Sequence, residues 1–395
     1  MTLLFTPYEL GGVELANRFV HSATTESMVG LDGKVSDRLV ERYERLASGG
    51  IGLIVPGAMT VQPSGKHFNL GIGIYTDEMV PGLRRLASAM HERGAKVFFQ
   101  LNHAGRQTLK GVTGQKPIGP SAHKRDPLYL VKPREMSEGD IEETIRAFGL
   151  AAGRAAEAGA DGVQIHAAHG YLVSQFLSPF FNVRRDRWGG SDENRFRFLA
   201  EVYRQVRENL PEGMPVLVKL NTNDFTPSEG ITPPLAARYA GWLKELGIDG
   251  VEVSQGSIYA TMNVMRGGVP VAEMLESQPA WKKPLARLVL NSMKGKFDLV
   301  EGFNIDAAEV VKPALHGVPL ILVGGMRRAS HMEEVLKSGL ADLISLSRPF
   351  IREPDLVKRL AEGKERVSCV SCNKCFAAMI ADKPIRCYCT GKDVD

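Results

Sequence analysis

His166, His169 and Tyr171 stand within six residues of one another at the end of the apolar run GVQIHA (162–167). Two imidazoles and a phenol at this spacing can ligate a metal, sit as satisfied polar groups in a core, or hold and protonate a substrate. Polar or small residues close other apolar runs in the same way. Ser22, Ala23, Thr24 and Thr25 follow NRFVH, Ala58 follows GLIVPG, and Gln100 lies in KVFFQL with Asn102 and His103 behind it. Lys219 and Asn221 end PVLVKLN, and Glu252 and Ser254 lie in GVEVSQ. Gly324 and Gly325 end PLILVGG, and Ser347 and Arg348 end DLISLSR.

These side chains share one position relative to the elements that carry them. Eight short runs, at 17–22, 52–57, 96–101, 162–167, 215–220, 250–255, 319–324 and 342–347, are rich in β-branched and aromatic residues, as buried parallel strands are. Stretches with helical periodicity separate them, such as DRLVERYERLASGG and PPLAARYAGWLKELG, with Gly49, Gly94, Gly159 and Gly247 as expected helix stops. Eight evenly spaced strand–helix units predict an α/β fold, a (β/α)8 TIM barrel, in preference to a doubly wound sheet. The chemistry-bearing residues then all lie at the C-terminal ends of barrel strands, where barrel active sites are built. Two long insertions, about residues 103–136 and 256–303, belong to that same face and are expected to form lids or pocket walls.

The pairing of Gly324–Gly325 after the seventh strand with Ser347–Arg348 after the eighth predicts a phosphate site, because the loops after these two strands of a barrel frequently hold one. A tight glycine turn and a surface arginine are the plainer alternative. Flavin mononucleotide (FMN) suits the rest of the inventory. Its ring presents carbonyls and an N–H that Gln100 can meet with both donor and acceptor, and Lys219 can stabilise negative charge on the ring. Lys219 also admits two other readings, a core lysine paired with Glu252 and an imine-forming lysine of a lyase or aldolase.

The run HGYLVSQFLSPFFNVRRDRWGGSDENRFRF (169–198) resembles the old yellow enzyme family of FMN-dependent ene-reductases. NRFVHSA, FFQLNHAGRQ and GLADLISLSRPFIREPDL extend the resemblance over nearly the whole chain, in barrel order. The resemblance implies that Ala23, Thr24, Thr25 and Ala58 lie against the flavin and that Gln100 contacts its pyrimidine edge. It implies that His166 and His169 bond the activating oxygen of an electron-poor alkene, such as an α,β-unsaturated carbonyl compound, and that Tyr171 supplies the proton. Gly324, Gly325, Ser347 and Arg348 would hold the phosphate. NADH or NADPH would reduce the flavin first and leave, giving ping-pong kinetics. The chain departs from the family in three places. Lys219 stands where Arg is frequent, which keeps the charge but loses the bidentate fork. Thr25 stands where some members carry Cys, and His169 where many carry Asn.

All five cysteines lie between residues 369 and 389. Cys369, Cys372 and Cys375 form C-x2-C-x2-C, a metal-ligating spacing. The tail resembles that of the dienoyl-CoA reductase and trimethylamine dehydrogenase branch, which implies a 4Fe-4S cluster with Cys387, or alternatively Cys389, as fourth ligand. Zinc and free thiols are the alternatives. No GxGxxG follows, so a cluster would need a separate electron donor. The expected organisation is an FMN-binding barrel over 1–366 and a cysteine-rich tail over 367–395.

The bulk composition excludes other classes. A formal charge of +4, from 49 basic and 45 acidic residues without a dense basic run, gives no case for a nucleic-acid partner. No apolar stretch reaches membrane-spanning length, and the N-terminus lacks secretory features, so a cytoplasmic enzyme is expected. The expected partner is a small-molecule alkene. A homo-oligomer is compatible with the sequence.

Overall fold

Eight apolar runs become eight parallel strands: β1 (Phe19–His21), β2 (Leu53–Ile54), β3 (Lys96–Asn102), β4 (Gly162–Ala167), β5 (Val216–Asn221), β6 (Gly250–Ser254), β7 (Leu320–Val323) and β8 (Leu343–Leu346). The computed structural model describes residues 2–126 and 130–389. Each strand pairs with its sequence neighbours, β1 also pairs with β8, and the β2–β3 ladder completes the ring. This closure is the expected (β/α)8 barrel and excludes the doubly wound alternative. The helices that follow the strands in turn are α1 (Asp37–Ala47), α2 (Val80–His91), α3 (Glu138–Glu157), α4 (Asp192–Glu208), α5 (Pro233–Leu246), α6 (Ile305–Leu315), α7 (Ala329–Lys337) and α8 (Leu356–Ala361).

Local chemistry sets the helix ends. Ser36 accepts from Leu39 N–H at the start of α1, Ser137 and Asp140 form a capping box on α3, and Ser191 caps α4. Gly94, Gly159 and Gly247 are left-handed, as expected of helix stops. After α1 the left-handed residue is Gly50, not Gly49. Gly49 is fixed by packing instead, since a Cβ there would lie 1.9 Å from the carbonyl oxygen of Pro354.

Strand alternation sorts the barrel into layers. Outward residues such as Val163, Ile165, Val216, Val218, Val251 and Ile344 join the core beneath the helices. The inward residues nearest the N-terminal mouth are apolar: Val20, Leu53, Phe98, Leu217, Ile321 and Leu343. Leu10 and Leu15 of an N-terminal hairpin (Tyr8–Leu10 with Val13–Leu15) pack onto them and close that end. Farther along the strands the inward residues turn polar: Ser22, Gln100, Gln164, Lys219, Glu252 and Ser345, all buried.

Both insertions are ordered where described. The first contains a two-residue parallel pair, Ile118–Gly119 with Arg134–Glu135. The second contains helices Val271–Glu276 and Lys283–Met293. They meet where Tyr259 Oη donates to the carbonyl of Arg125 (3.1 Å). Described tail residues pack on the barrel through backbone bonds from Val367 to Arg327 and from Ile385 to Glu26. The expected tail residues 390–395 lie outside the described residues.

Candidate active site

The polar layer is one connected network. Lys219 Nζ lies 3.2 Å from Glu252 Oε2 and donates to Ser22 Oγ at 2.8 Å. Glu252 also accepts from Ser22 (2.8 Å), Ser345 (2.9 Å) and Gln164 (2.9 Å), and Gln164 Oε1 accepts from Gln100 Nε2 at 2.6 Å. Lys219, Glu252 and Gln164 are each satisfied, as a charge pair out of water requires. Lys219 thus sits in the ion pair with Glu252 that its sequence position allowed, and its ammonium is engaged rather than presented as an imine-forming amine. The carbonyl oxygen of Gln100 accepts nothing among the described residues, so its acceptor faces the mouth.

His166, His169 and Tyr171 stand above this network. His166 is opposite Lys219 in the β4–β5 ladder, so the two share the inward face. The chain turns back at His169 and Gly170, with φ of 60° and 71°. A left-handed histidine is uncommon, and the turn is held from outside. Gln107 Nε2 donates to the carbonyl of His169 (2.6 Å), and Gln175 Nε2 donates to that of Gly170 (2.7 Å). A Cβ at Gly170 would approach Gln107 Nε2 to 2.8 Å. The turn brings the rings together, with His166 centred 5.0 Å from His169 and 4.9 Å from Tyr171.

Burial and hydrogen bonding fix what the imidazoles offer. Burial holds His166 well below its ordinary range, with His169 and Lys219 adding to the effect, and burial brings His169 down to about 3. Both are therefore neutral. His166 Nδ1 accepts from Ala168 N–H (3.3 Å), which leaves its one proton on Nε2 as a donor. His169 Nε2 is 2.7 Å from Ser254 Oγ. When Nε2 accepts from that hydroxyl, Nδ1–H is the second donor.

Around this centre, Ala23, Thr24, Thr25 and Ala58 are half-buried at the β1 and β2 ends, while their neighbours Ser22, Glu26 and Gly57 are buried. Gly57 N–H bonds Tyr43 Oη (3.0 Å), and Tyr43 in turn bonds Glu26, which braces both loops from behind. Thr24 Oγ1 is 2.7 Å from Ser347 Oγ and joins the β1 end to the β8 end. Gly324 and Gly325 have φ of 146° and 73°, and a Cβ on Gly324 would approach Asn304 Nδ2 to 2.9 Å. Backbone can therefore approach a ligand closely there. Arg348 Nη1 donates to Arg266 O (2.9 Å) and Asn373 Oδ1 (2.5 Å). The same guanidinium lines the cavity of Cys369, Cys372 and Cys375, so the side chain is turned toward the tail. Glycine backbone at the β7 end, the Thr24 and Ser347 hydroxyls and the amide acceptor of Gln100 fit FMN.

The cysteines come together less completely. Cys369, Cys372, Cys375, Cys387 and Cys389 line one cavity of about 20 Å³ with Arg348 and Arg352, and Arg352 Nη1 is 3.4 Å from Cys387 Sγ. Among the described residues, however, no three His, Cys, Asp or Glu side chains are arranged to hold a metal ion. Burial pushes the Cys375 thiol up to about 12. The ligand set that the resemblance implies, Cys369, Cys372, Cys375 and Cys387, is gathered around one cavity but not arranged as a metal site among the described residues.

Sequence reasoning missed two site residues. Gln164 carried a signal, since it lies two residues before His166 and so on the same strand face. His67, in the loop after β2, carried none. Its Nδ1 lies 2.8 Å from Tyr171 Oη. His103, by contrast, braces its own loop, accepting from Gly105 N–H (3.0 Å) and contacting Ser64 Oγ (3.2 Å).

Residues 3–290 and 269–366 match the NADH:flavin oxidoreductase / NADH oxidase family. The chain is 34% identical over 374 residues to an NADH oxidase of Thermoanaerobacter brockii, covering 94% of this chain but 52% of that protein. It therefore spans about half the length of that relative. It is 37% identical over 359 residues to an NADPH dehydrogenase of Geobacillus sp. (strain WCH70), covering 89% of this chain and 92% of that one. Among solved structures it resembles the old yellow enzyme homologue from Zymomonas mobilis, with a TM-score of 0.73, 26% identity, and 99% and 98% of the two chains covered. No helix among the described residues is long and apolar enough to cross a membrane.

Proposed function

Because this chain belongs to the NADH:flavin oxidoreductase / NADH oxidase family, we propose that it is an FMN-dependent NAD(P)H oxidoreductase that reduces the C=C bond of α,β-unsaturated carbonyl compounds or similar electron-poor alkenes. One observation carries the substrate class. Two buried imidazoles, of which His166 keeps its N–H on Nε2, and a phenol meet on one side of a barrel mouth. That is the equipment for polarising an oxygen and protonating a carbon.

When bound, FMN would supply the hydride chemistry that links NADH or NADPH to the alkene. Ala23, Thr24, Thr25 and Ala58 would border it, Gln100 would meet its pyrimidine edge, and Lys219 would set the charge beneath. Gly324, Gly325 and Ser347 would hold its phosphate. His166 Nε2–H and His169 would donate to the activating oxygen, drawing charge off the alkene as the transition state builds it. Tyr171 would give its proton to the carbon beside the activating group. We take residues 1–366 as the reacting unit and 367–395 as a tail, and no step uses the tail.

A spectrum of the purified protein before and after anaerobic NADH and NADPH tests the reading. The expected result is a yellow protein that bleaches with one or both and recovers its colour on addition of 2-cyclohexen-1-one. Colourless protein that takes up no added FMN would overturn it. The iron–sulfur alternative rests on five thiols around one cavity. Iron and acid-labile sulfide analysis of anaerobically prepared protein tests it, and absence of both would remove it.

A further inference from the structure

The phenol of Tyr171 is in contact with a histidine from another strand's loop. His67 Nδ1 lies 2.8 Å from Tyr171 Oη, the two rings are 5.0 Å apart and steeply inclined at 74°, and His67 packs on Phe68 at 3.8 Å. The placement is defined from both sides. His67 comes from the β2 loop and Tyr171 from the β4 turn, and each ring contacts a further aromatic, Phe68 and His166 respectively.

A phenol has one proton, and it serves one acceptor at a time. If Nδ1 of His67 accepted that proton, Tyr171 would point it away from the mouth. If Nδ1 carries the proton of the neutral ring and donates it to the phenol oxygen, Tyr171 keeps its own proton to give to a substrate. Burial holds His67 down to about 3, so the ring has a single N–H to place. Resting on the reading of Tyr171 as the proton source, we propose that His67 is a positioning residue whose Nδ1–H donates to Tyr171 Oη and makes the phenol a stronger acid. In the step itself the Tyr171 O–H bond breaks as the substrate C–H bond forms. The phenolate stays bound to Nδ1–H, and it then regains a proton from water.

Two measurements on the FMN-loaded protein test this. The first is the ionisation of Tyr171, followed by ¹³C NMR of ring-labelled tyrosine and assigned with Tyr171→Phe. Removing a donor to the phenolate in His67→Ala should raise the Tyr171 pKa by about one unit or more, and His67→Asn, whose amide can donate from a similar place, should restore part of the shift. His166, His169 and Lys219 are unchanged in these variants, so the difference reports His67. The second is the single-turnover reaction of reduced protein with 2-cyclohexen-1-one, which His67→Ala should slow about 10- to 100-fold, with partial rescue in His67→Asn. A Tyr171 pKa that falls or stays unchanged in His67→Ala overturns the inference, as does a phenol still protonated at about pH 11 in the unsubstituted protein. If the unsubstituted protein fails to reduce the alkene while the pKa still rises in His67→Ala, the reductase reading falls and the hydrogen bond stands.

Discussion

At the scale of single residues, the site separates proton supply from charge stabilisation. His166 has its Nδ1 occupied by Ala168 N–H, so it contributes a donor and has no accessible basic nitrogen. Tyr171 contributes the phenol packed against His166. Replacing Tyr171 with Phe should slow reoxidation of the reduced protein by an alkene by about 10²–10⁴-fold, and should slow reduction by NAD(P)H far less, because only the former needs its proton. Stopped-flow measurement of the two half-reactions checks this, and equal loss in both would remove Tyr171 from the role. His166→Ala should instead weaken binding of a phenol, whose oxyanion would take the place of the polarised substrate oxygen. A charge-assisted hydrogen bond of ordinary strength corresponds to about 10- to 100-fold in Kd, read from a long-wavelength phenol–flavin band.

At the scale of elements, the long motif that carried the resemblance is mostly scaffold. Asn182 Nδ2 ties the carbonyls of Phe176 (2.8 Å) and Trp188 (2.7 Å), Trp188 Nε1 bonds Glu138 (2.7 Å), and Arg184 Nη1 holds Pro120 O and Met136 O (2.8 Å each). Ser178 and Asn221 meet on Asp224, and Asn221 Oδ1 accepts from His169 N–H. The motif was readable because so many side chains are committed to backbone carbonyls whose positions must be met together. The barrel was readable for a simpler reason, the repeat of apolar runs and helical stretches. What stayed hidden depends on contacts between distant segments. Gly49 is small because Pro354 approaches it, and His67 belongs to the site because the β2 loop reaches Tyr171. The cysteine spacing marked the thiols but not their arrangement, which the barrel partner Arg348 and the Asn373 turn help to set. The polar layer gives a test at this scale. Glu252→Ala leaves Lys219 buried without its carboxylate and should cost about 3–5 kcal/mol, whereas Lys219→Met combined with Glu252→Leu should recover much of that loss. Urea unfolding of the two variants beside the parent, all without added FMN, separates the cost of an unpaired charge from that of the polar layer itself.

At the scale of the whole molecule, the buried histidines tie folding to pH. Burial holds His21 and His103 down to about 3 and His166 well below its usual range, against an ordinary value of 6.5. Their folded values lie below the unfolded one. The stability they represent is present above about pH 6.5 and is lost as pH falls toward their folded values, because the unfolded chain binds protons that the folded one refuses. Two carboxyls act in the opposite direction. Burial raises Glu26 to about 7 and Asp224 to about 6, so their contribution is complete below the unfolded carboxyl range and is lost as pH rises through those values. Three deeply buried imidazoles outweigh two carboxyls between about pH 6.5 and 4.5, and His169, partly exposed, adds to their side. Stability should therefore decline on acidification from neutrality, and more steeply below about pH 4.5, where the unfolded carboxyls are protonated too and the opposition ends. His103 isolates one contribution away from the mouth. Charging it would place a proton on Nδ1 and break the bond from Gly105 N–H. His103→Gln removes the titration, so it should lower stability at pH 7 yet flatten the acid decline by up to about 1.4 kcal/mol per pH unit. Urea midpoints at pH 7, 6 and 5 in saturating FMN measure that slope, and an unchanged slope in His103→Gln would mean that His103 is charged in the folded protein and that the Ser64–His103–Gly105 brace is not closed as described.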